Sequence, residues 1–325
     1  PVLEGYTYEF ITNIGLSSGI YSFLGIINPK IFQKINIWKA DALLIYGWNY
    51  LTNLLVILFF WKKKHIYFRG DSTLLDDNLS SPVKRWLKKA VLTYVYKRID
   101  TFLYVGENNK EYFLKYGVPE SKLAYAPHAI DNERFMHQYS INKIEYFKNK
   151  FGIKDSDTSI LFSGKLQSKK APQFLLEAYQ IAKQTNPNLK VIFIGDGEMK
   201  VELTSMANND PDIIFLGFVN QSDLPSLYRI GSVLVLPSSY NETWGLVINE
   251  AMACMLPVIA SDRVGAAKDM IKPEYNGYIF KAGDVIRLSK ILRDTPKEKW
   301  NIMGRNAAFI SQNFSYHKLI QHLEE

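Results

Sequence analysis

Residues 234–261 read LVLPSSYNETWGLVINEAMACMLPVIAS. The apolar start predicts a buried strand, YNETWG a turn, LVINEAMACM a helix that ends before Pro257, and LPVIAS a second strand. Two glutamates, Glu242 and Glu250, stand eight residues apart around the turn. A chain with 16 glutamates in 325 residues contains about one such pair by chance, so the meaning of the pair depends on its surroundings.

Strand-like and helix-like segments alternate almost from end to end of the chain. Strands are predicted at 42–46, 65–68, 101–106 and 122–127, and then at 159–164, 190–195, 213–217, 232–238, 256–261 and 276–280. Short apolar strands in this alternation indicate doubly wound parallel sheets, and two series indicate two domains. We therefore expect Rossmann-like domains at 1–150 and 151–325, facing each other across a cleft at the carboxyl ends of the strands.

Composition limits the class of protein. With 325 residues and 47% hydrophobic content, the chain can bury two domain cores. Its single cysteine, Cys254, excludes an internal disulfide and is typical of a reducing compartment. The most apolar run, residues 54–61, is far shorter than the roughly 20 residues that a membrane-spanning helix needs. We expect a cytoplasmic protein, either soluble or peripheral on the inner face of the membrane.

The net charge of +7 lies entirely in residues 1–150, where 20 Lys and Arg oppose 13 Asp and Glu. The excess concentrates at 62–98. There, apolar residues recur at helical spacing between basic ones: Trp86, Leu87, Val91, Tyr94 and Val95. The pattern suits a helix on an anionic membrane surface, and it also suits a core-facing helix with a solvated basic side. Nucleic-acid binding is not expected, because no recognition motif accompanies the basic patches.

The turn before the second helix has the chemistry of a nucleotide-sugar site. Amides from Trp244 to Val247 lack intrahelical acceptors, and such a helix end binds phosphate. Gly245 lets a ligand approach the backbone closely. Carboxylates repel phosphate but accept hydrogen bonds from hydroxyls, so Glu242 suits the sugar and Glu250 the ribose of a nucleotide-diphosphate sugar. Alone, the pair is equally explained by a solvated Glu242 and a helix-surface Glu250.

Two lysines favour the nucleotide-sugar interpretation. Lys165 and Lys170 lie in FSGKLQSKKAPQF, where a turn containing Gly164 joins a strand to a helix. Cations at the carboxyl end of a strand can offset the charge of a diphosphate leaving group.

Residues 160–284 resemble the retaining glycosyltransferases of family 4. The motifs SGKLQSKKAP, IGDGEMKVEL, IIFLGFVNQSDLPSLY, the opening stretch and VGAAKDMIKPEYNGYIFKAGD follow in the family's order, and the two glutamates form its E-x7-E motif. The first half is similar to the family through VLEGYTYEF, YGWNY, YFRGDSTLLDD, VGENNKEYFLKYGV and APHAIDNERF. The resemblance, which extends to bacterial surface-polysaccharide glycosyltransferases, implies an α/β chain of GT-B architecture with two facing Rossmann-like domains.

The resemblance also implies roles for individual residues. Glu242 would contact donor-sugar hydroxyls, Glu250 would contact the ribose, and Lys165 and Lys170 would hold the diphosphate. Glu242 and the two lysines would thus carry catalysis, while Trp244 would either stack on the sugar or pack the turn. The implied donor-binding residues are Gly164, Lys165, Lys170, Gly217, Phe218, Val219, Glu242, Thr243, Trp244, Gly245, Leu246, Val247 and Glu250.

Some residues depart from the family's pattern. Lys165 stands where Arg is commoner, which keeps the charge but loses a bidentate fork. Ala171 and Met255 stand where Gly is usual, and we interpret both as packing variation. Family members also open with a strand and a glycine-rich loop that nothing before Pro1 supplies. We therefore expect an incomplete N-terminal domain, and a chain shortened in this way can be inactive; the architecture also allows the last helix to return to that domain.

Other signals have ordinary explanations. RGDS at 69–72 follows a strand, so it is interpreted as a cleft loop in which Arg69 can contact acceptor or phosphate. The acidic triplets at 155–157 and 210–212 are interpreted as solvated loops. The five histidines show no ligand spacing, and no divalent metal is expected.

The sequence thus predicts a retaining, hexosyltransferase-type enzyme. It would move a sugar from a nucleotide-diphosphate donor, a UDP-sugar, to a saccharide or lipid-linked acceptor in polysaccharide biosynthesis. Two alternatives remain open at this point: a nucleotide-sugar epimerase of the same architecture, and a non-catalytic nucleotide-sugar-binding or membrane-peripheral protein.

Overall fold

The computed structural model describes residues 5–15, 22–75 and 81–324. The motif at 2–10 therefore begins, and the motif at 67–77 ends, outside the described residues, as do positions 76–80 of the basic region. Contacts group the described residues into two compact units. The first comprises 5–15, 22–72, 81–105 and 109–125, and the second comprises 73–75, 106–108 and 126–324.

The first unit contains a four-stranded parallel sheet in the order β1-β2-β3-β4. In chain order its elements are α1 (Ile31–Ile37), β1 (Ala42–Tyr46), α2 (Leu51–Phe60), β2 (His65–Arg69), α3 (Pro82–Tyr96), β3 (Thr101–Tyr104), α4 (Glu107–Lys115) and β4 (Leu123–Tyr125). Phe68 of β2 and Phe102 of β3 are fully buried, with ring centroids 5.7 Å apart. Tyr96 of α3 and Phe113 of α4 pack against both rings, so an aromatic core joins sheet and helices.

Helix α3 turns most of its apolar residues outward. Trp86 and Tyr94 expose 71% and 57% of their surface, and Leu87 and Val91 are also exposed, whereas Val95 is buried. The core-facing interpretation of this helix is therefore wrong for four of the five residues. The helix buries a different side, formed by Leu92, Val95 and Tyr96. Among the described helices, none has the length and apolar character that crossing a membrane requires.

The second unit contains a six-stranded parallel sheet in the order β10-β9-β8-β5-β6-β7. Its strands are β5 (Thr158–Ser163), β6 (Leu189–Ile194), β7 (Ile213–Gly217), β8 (Val233–Leu236), β9 (Val258–Ser261) and β10 (Gly277–Phe280). Its helices are α5 (Asn132–His137), α6 (Ile141–Lys150), α7 (Pro172–Lys183), α8 (Lys200–Met206), α9 (Leu224–Tyr228), α10 (Val247–Ala253), α11 (Ala267–Met270), α12 (Val285–Asp294), α13 (Lys297–Ser311) and α14 (Tyr316–Glu324). Within the described residues, short 3-10 helices lie at Glu120–Lys122 of the first unit and at Ser168–Lys170 and Gln312–Phe314 of the second.

Every residue of β5, β8 and β9 is buried. Continuous apolar strands of this kind are typical of parallel sheets that helices cover on both sides. All ten described strands lie where the sequence predicts them, with ends that differ by at most two residues. The expected α/β class with two parallel sheets is confirmed.

The second unit begins at Ala126, earlier than the expected boundary near residue 150. Helices α5 and α6 account for the difference, because α5 packs against α9 and α10 and α6 packs against α9. The backbone amide of Ser140 donates to Ser226 Oγ at 3.0 Å, which joins the start of α6 to α9. The last helix, α14, is also grouped with this unit.

Candidate functional site

The sheet of the second unit changes direction between β5 and β8. Strands β6 and β7 follow β5 on one side, whereas β8, β9 and β10 lie on its other side. At such a switch point the loops leaving the two neighbouring strands diverge, and ligands of doubly wound sheets bind there. The loop after β5 carries Gly164, Lys165 and Lys170, and the loop and helix after β8 carry Glu242 and Glu250. The predicted charged residues of the second unit therefore lie on segments that follow two neighbouring strands.

Direct bonds join the two loops. The amide of Ser239 donates to the carbonyl of Lys169 at 2.9 Å, and Ser168 Oγ lies 3.0 Å from Tyr240 Oη. These contacts hold the segment after β5 against the segment after β8, so the switch point is a defined surface of the second unit.

Glu242 forms an ion pair with Lys170 in the same place. Both side chains are largely buried, at 10% and 15% exposed, and Ser238 Oγ donates to Glu242 Oε2 at 3.1 Å. A partly desolvated ammonium fixed beside a carboxylate can bind an anion and a hydroxyl side by side. Lys165 is exposed, and no ion pair is recorded for it within the described residues.

Ala171, the residue after Lys170, adopts a left-handed conformation with φ 48° and ψ 47° and precedes the first residue of α7. Met255, after α10, is also left-handed, with φ 61°. Glycine is favoured at both positions because it has no Cβ. The left-handed conformation explains why glycine is usual at both positions, a backbone constraint that the interpretation as packing variation leaves out.

Glu250 lies in the first turn of α10 and is held from the core side. Tyr228 Oη donates to Glu250 Oε2 at 2.8 Å, and Ser163 Oγ lies 3.0 Å from the same phenol oxygen. Burial raises the pKa of Glu250, although the bond from Tyr228 and the charge of Arg134 act in the opposite direction. Sequence reasoning missed Ser163 and Tyr228. A polar residue at the very end of a buried strand was the available signal for Ser163.

Three glycines stand side by side at the carboxyl ends of β5, β6 and β7. The amide of Gly195 donates to the carbonyl of Gly217 at 2.9 Å. A Cβ on Gly195 would lie 2.0 Å from the carbonyl oxygen of Gly164. The row connects the predicted base-lining segment to the loop after β5. Phe218, which follows Gly217, is 83% exposed, and Val219 is half-buried.

The turn at 243–247 differs in part from expectation. Trp244 is 4% exposed and its indole NH donates to Asn249 Oδ1 at 2.9 Å, so this side chain packs the turn and is not available to stack on a sugar. Gly245 has φ 93°, a conformation that favours glycine. Helix α10 begins at Val247. Within the described part of the chain, the amides of Gly245, Leu246 and Val247 donate to no recorded acceptor.

The remaining candidates lie elsewhere. Arg69 ends β2 in the first unit, where burial lowers the pKa of its guanidinium. In the triplet 210–212, Asp210 accepts from Tyr179 Oη, and Asp212 pairs with Lys183 at 2.7 Å and with Lys190. Both carboxylates thus bond to side chains of the same unit, and they are not the solvated loop residues that the sequence predicts. Over residues 5–15, 22–75 and 81–324, no cluster of three acidic, His or Cys side chains is placed to bind a metal ion.

Comparison with known proteins places this site in a family. The model for "Glycosyl transferases group 1" matches residues 143–309, more than half of the chain. The chain belongs to this family. The matched region of this group 1 family member contains both glutamates, both lysines and the whole switch point.

Relatives of this group 1 family member include an uncharacterized glycosyltransferase, MJ1607, of Methanocaldococcus jannaschii. It is 33% identical over half of this chain and 42% of its own length. A D-inositol 3-phosphate glycosyltransferase of Arthrobacter sp. is 33% identical over 51% of this chain and 41% of its own length. The chain thus matches less than half the length of these curated relatives.

Among solved structures, HepE from Anabaena in complex with UDP and glucose is similar to this group 1 family member in fold. It has a TM-score of 0.72 and 20% identity, and the alignment covers 91% of this chain and 80% of HepE. At this identity the likeness shows the fold alone, and it agrees with the predicted GT-B class.

Proposed function

We propose that this protein transfers a sugar from a nucleotide-diphosphate donor to a hydroxyl acceptor, with retention of the anomeric configuration, as a family 4 hexosyltransferase. The observation that carries the proposal is the switch point between β5 and β8, where the Lys170–Glu242 ion pair joins two neighbouring loops and Glu250 lies in the first turn of the helix that follows the second loop. Doubly wound sheets bind nucleotides at such points. HepE, which has a similar fold, was solved with UDP, which supports a UDP-sugar as the donor.

In the proposed complex, hydroxyls of the donor sugar donate to Glu242 and those of the ribose donate to Glu250. Lys170 and Lys165 bind the diphosphate and stabilise its charge as it leaves, so no divalent metal is needed. Amides of Gly245, Leu246 and Val247 bind phosphate and sugar oxygens. The base lies against the backbone at 217–219. Chemistry then depends on leaving-group stabilisation and acceptor position more than on a side-chain nucleophile.

The proposed acceptor is a saccharide, free or lipid-linked, and the proposed location is the inner face of an anionic membrane. Support comes from α3, whose apolar residues Val83, Trp86, Leu87, Val91 and Tyr94 form an exposed stripe. Residues 82–98 contain six basic residues and no acidic ones. An apolar stripe flanked by cations suits a helix that lies in the membrane interface.

The donor assignment is tested with Glu250→Gln. Loss of a charged acceptor should weaken binding of the preferred nucleoside diphosphate roughly tenfold or more, because a hydrogen bond to a charged group contributes about 1.5–3 kcal/mol. Calorimetric titration of UDP, GDP and ADP into both proteins measures the effect. Glu202→Gln, which changes an exposed glutamate on α8, is the matched control. Equal affinity of wild type and Glu250→Gln would contradict the ribose contact.

Transfer itself is tested by product analysis with a UDP-sugar panel. Sugar should appear on an added acceptor with the donor's anomeric configuration. An epimerised donor formed without acceptor would instead indicate an epimerase, and binding without any turnover would indicate a non-catalytic protein.

A further inference from the structure

A chain of hydrogen bonds through two hydroxyl groups, those of Ser163 and Tyr228, runs from β5 through the core to the carboxylate of Glu250. Ser163 Oγ lies 3.0 Å from Tyr228 Oη, and Tyr228 Oη donates to Glu250 Oε2 at 2.8 Å. A phenol has one proton to donate, and here that proton goes to the carboxylate. Ser163 must therefore be the donor in its bond with Tyr228, so the polarity of the chain runs from Ser163 to Glu250.

Burying these hydrogen-bonded side chains costs free energy, and the cost has a functional reason if they serve the carboxylate of Glu250. Tyr228 is fully buried, and its ring packs near Phe135 of α5, with centroids 6.3 Å apart. Burying a carboxylate beside it opposes ionisation, and burial raises the pKa of Glu250. An apolar side chain in place of Glu250 would fill the same space without this cost.

The two oxygens of Glu250 differ in their surroundings. Oε2 accepts from Tyr228, whereas no protein donor to Oε1 is recorded over residues 5–15, 22–75 and 81–324. The side chain is largely but not fully buried. One oxygen is thus fixed by the core and the other stays available at the switch point.

We propose that Tyr228, oriented by Ser163, is a positioning residue for donor binding: it fixes one oxygen of Glu250 so that the other can accept from ribose hydroxyls. The inference rests on the proposed function, since it takes the nucleotide ribose as the partner of Glu250. Tyr228 touches no substrate in this proposal and acts only through Glu250.

The charged groups around Glu250 determine how its pKa should change when the hydroxyl of Tyr228 is removed. The charged or titratable groups that act on Glu250 are Tyr228 from α9, Arg134 from α5 and Cys254 at the end of α10. Arg134 also bonds to Gln221. Since the bond from Tyr228 favours the carboxylate, Tyr228→Phe should raise the pKa of Glu250 further. Donor binding needs the carboxylate. As pH falls, binding should therefore be lost at a higher pH in Tyr228→Phe than in the wild type.

The test compares a nucleoside diphosphate with its 2′-deoxy counterpart. The wild type is first titrated with UDP, GDP and ADP. The best-bound nucleotide and its 2′-deoxy form are then titrated into wild type, Tyr228→Phe and Ser163→Ala between about pH 5 and pH 8. In Tyr228→Phe, affinity for the ribonucleotide should fall roughly tenfold. The preference for ribose over deoxyribose should shrink, and the pH midpoint of binding should rise. Ser163→Ala should also reduce the ribose preference and raise the pH midpoint of binding, but each change should be smaller.

Tyr179→Phe is the matched control. Tyr179 is another fully buried tyrosine of the second unit, and its hydroxyl donates to Asp210 at 2.9 Å, away from Glu250. This variant should keep the ribose preference and the pH midpoint even if it unfolds at a lower temperature.

The outcomes separate the two proposals. If the wild type binds a nucleoside diphosphate and Tyr228→Phe keeps both the ribose preference and the pH midpoint, the positioning role is overturned while the proposed function stands. If the wild type binds none of the three nucleotides, the proposed function is overturned and the positioning role with it.

Discussion

At the scale of single residues, Glu250 is held at a cost to folding. Its pKa is raised by burial, so the unfolded chain releases this proton at a lower pH than the folded protein does. The contribution of Glu250 to the free energy of unfolding is therefore fully present below the ordinary pKa of glutamate, and it is lost as pH rises through the raised value.

The side chain of glutamine does not titrate, so Glu250→Gln should be more stable than wild type near pH 7.5 and equal to it near about pH 3.5. Urea unfolding at both pH values, with Glu202→Gln as control, measures this. A gain of equal size at both pH values would contradict the explanation.

At the scale of helices, the end of α10 stores backbone strain. The amide of Leu256 donates to the carbonyl of Ala251 at 3.0 Å, and that of Met255 donates to Met252 at 3.1 Å, which is the bond pattern of a left-handed helix terminus. A non-glycine residue in this conformation costs about 1–2 kcal/mol. The side chain of Met255 is 46% exposed, so it returns little packing energy.

Met255→Gly should therefore raise the free energy of unfolding by about 0.5–1 kcal/mol. Thermal or urea unfolding measures the change. Thr204→Gly is the control, because it places glycine at an exposed position inside α8, where it should lower the free energy of unfolding by about a few tenths of a kcal/mol. A loss of stability in both variants would show that the conformation at Met255 is not strained.

The sequence predicts the strands well and the contacts between loops poorly, for physical reasons. Short apolar runs with turns between them predict parallel strands in any order. The bonds of Ser163, Tyr228 and Glu250 depend on β8 lying beside β5, and local sequence carries no record of strand order. Burial of Trp244 likewise depends on Asn249, five residues away on a helix whose orientation only the folded sheet sets. The glutamate pair could be interpreted from sequence because both members belong to one loop and helix.

At the scale of the whole molecule, charge and exposed apolar surface coincide in one unit. The net +7 lies in residues 1–150, and the stripe on α3 is exposed there. The protein should float with vesicles that contain phosphatidylglycerol and not with phosphatidylcholine alone. High salt should weaken the binding, because salt screens charges. Trp86→Ser with Leu87→Ser should reduce it roughly tenfold or more, since burial of each large apolar side chain contributes about 1.5–3 kcal/mol when complete.

Ile302→Ser is the control for this experiment, because Ile302 is 51% exposed on α13 of the other unit. It should float as the wild type does. Equal flotation with both kinds of vesicle, or no effect of the double substitution, would refute the proposal that α3 binds a membrane surface.

The order of strands in the second sheet also has a consequence for synthesis of the chain. On the ribosome, β5, β6 and β7 emerge in the order in which they pair, whereas β8 emerges last of the four and takes the edge of β5 that is still free. The loops of the candidate site meet only at that step. A nascent chain shorter than residue 250 therefore has no complete candidate site, and the proposed nucleotide cannot stabilise the chain until translation has passed that point.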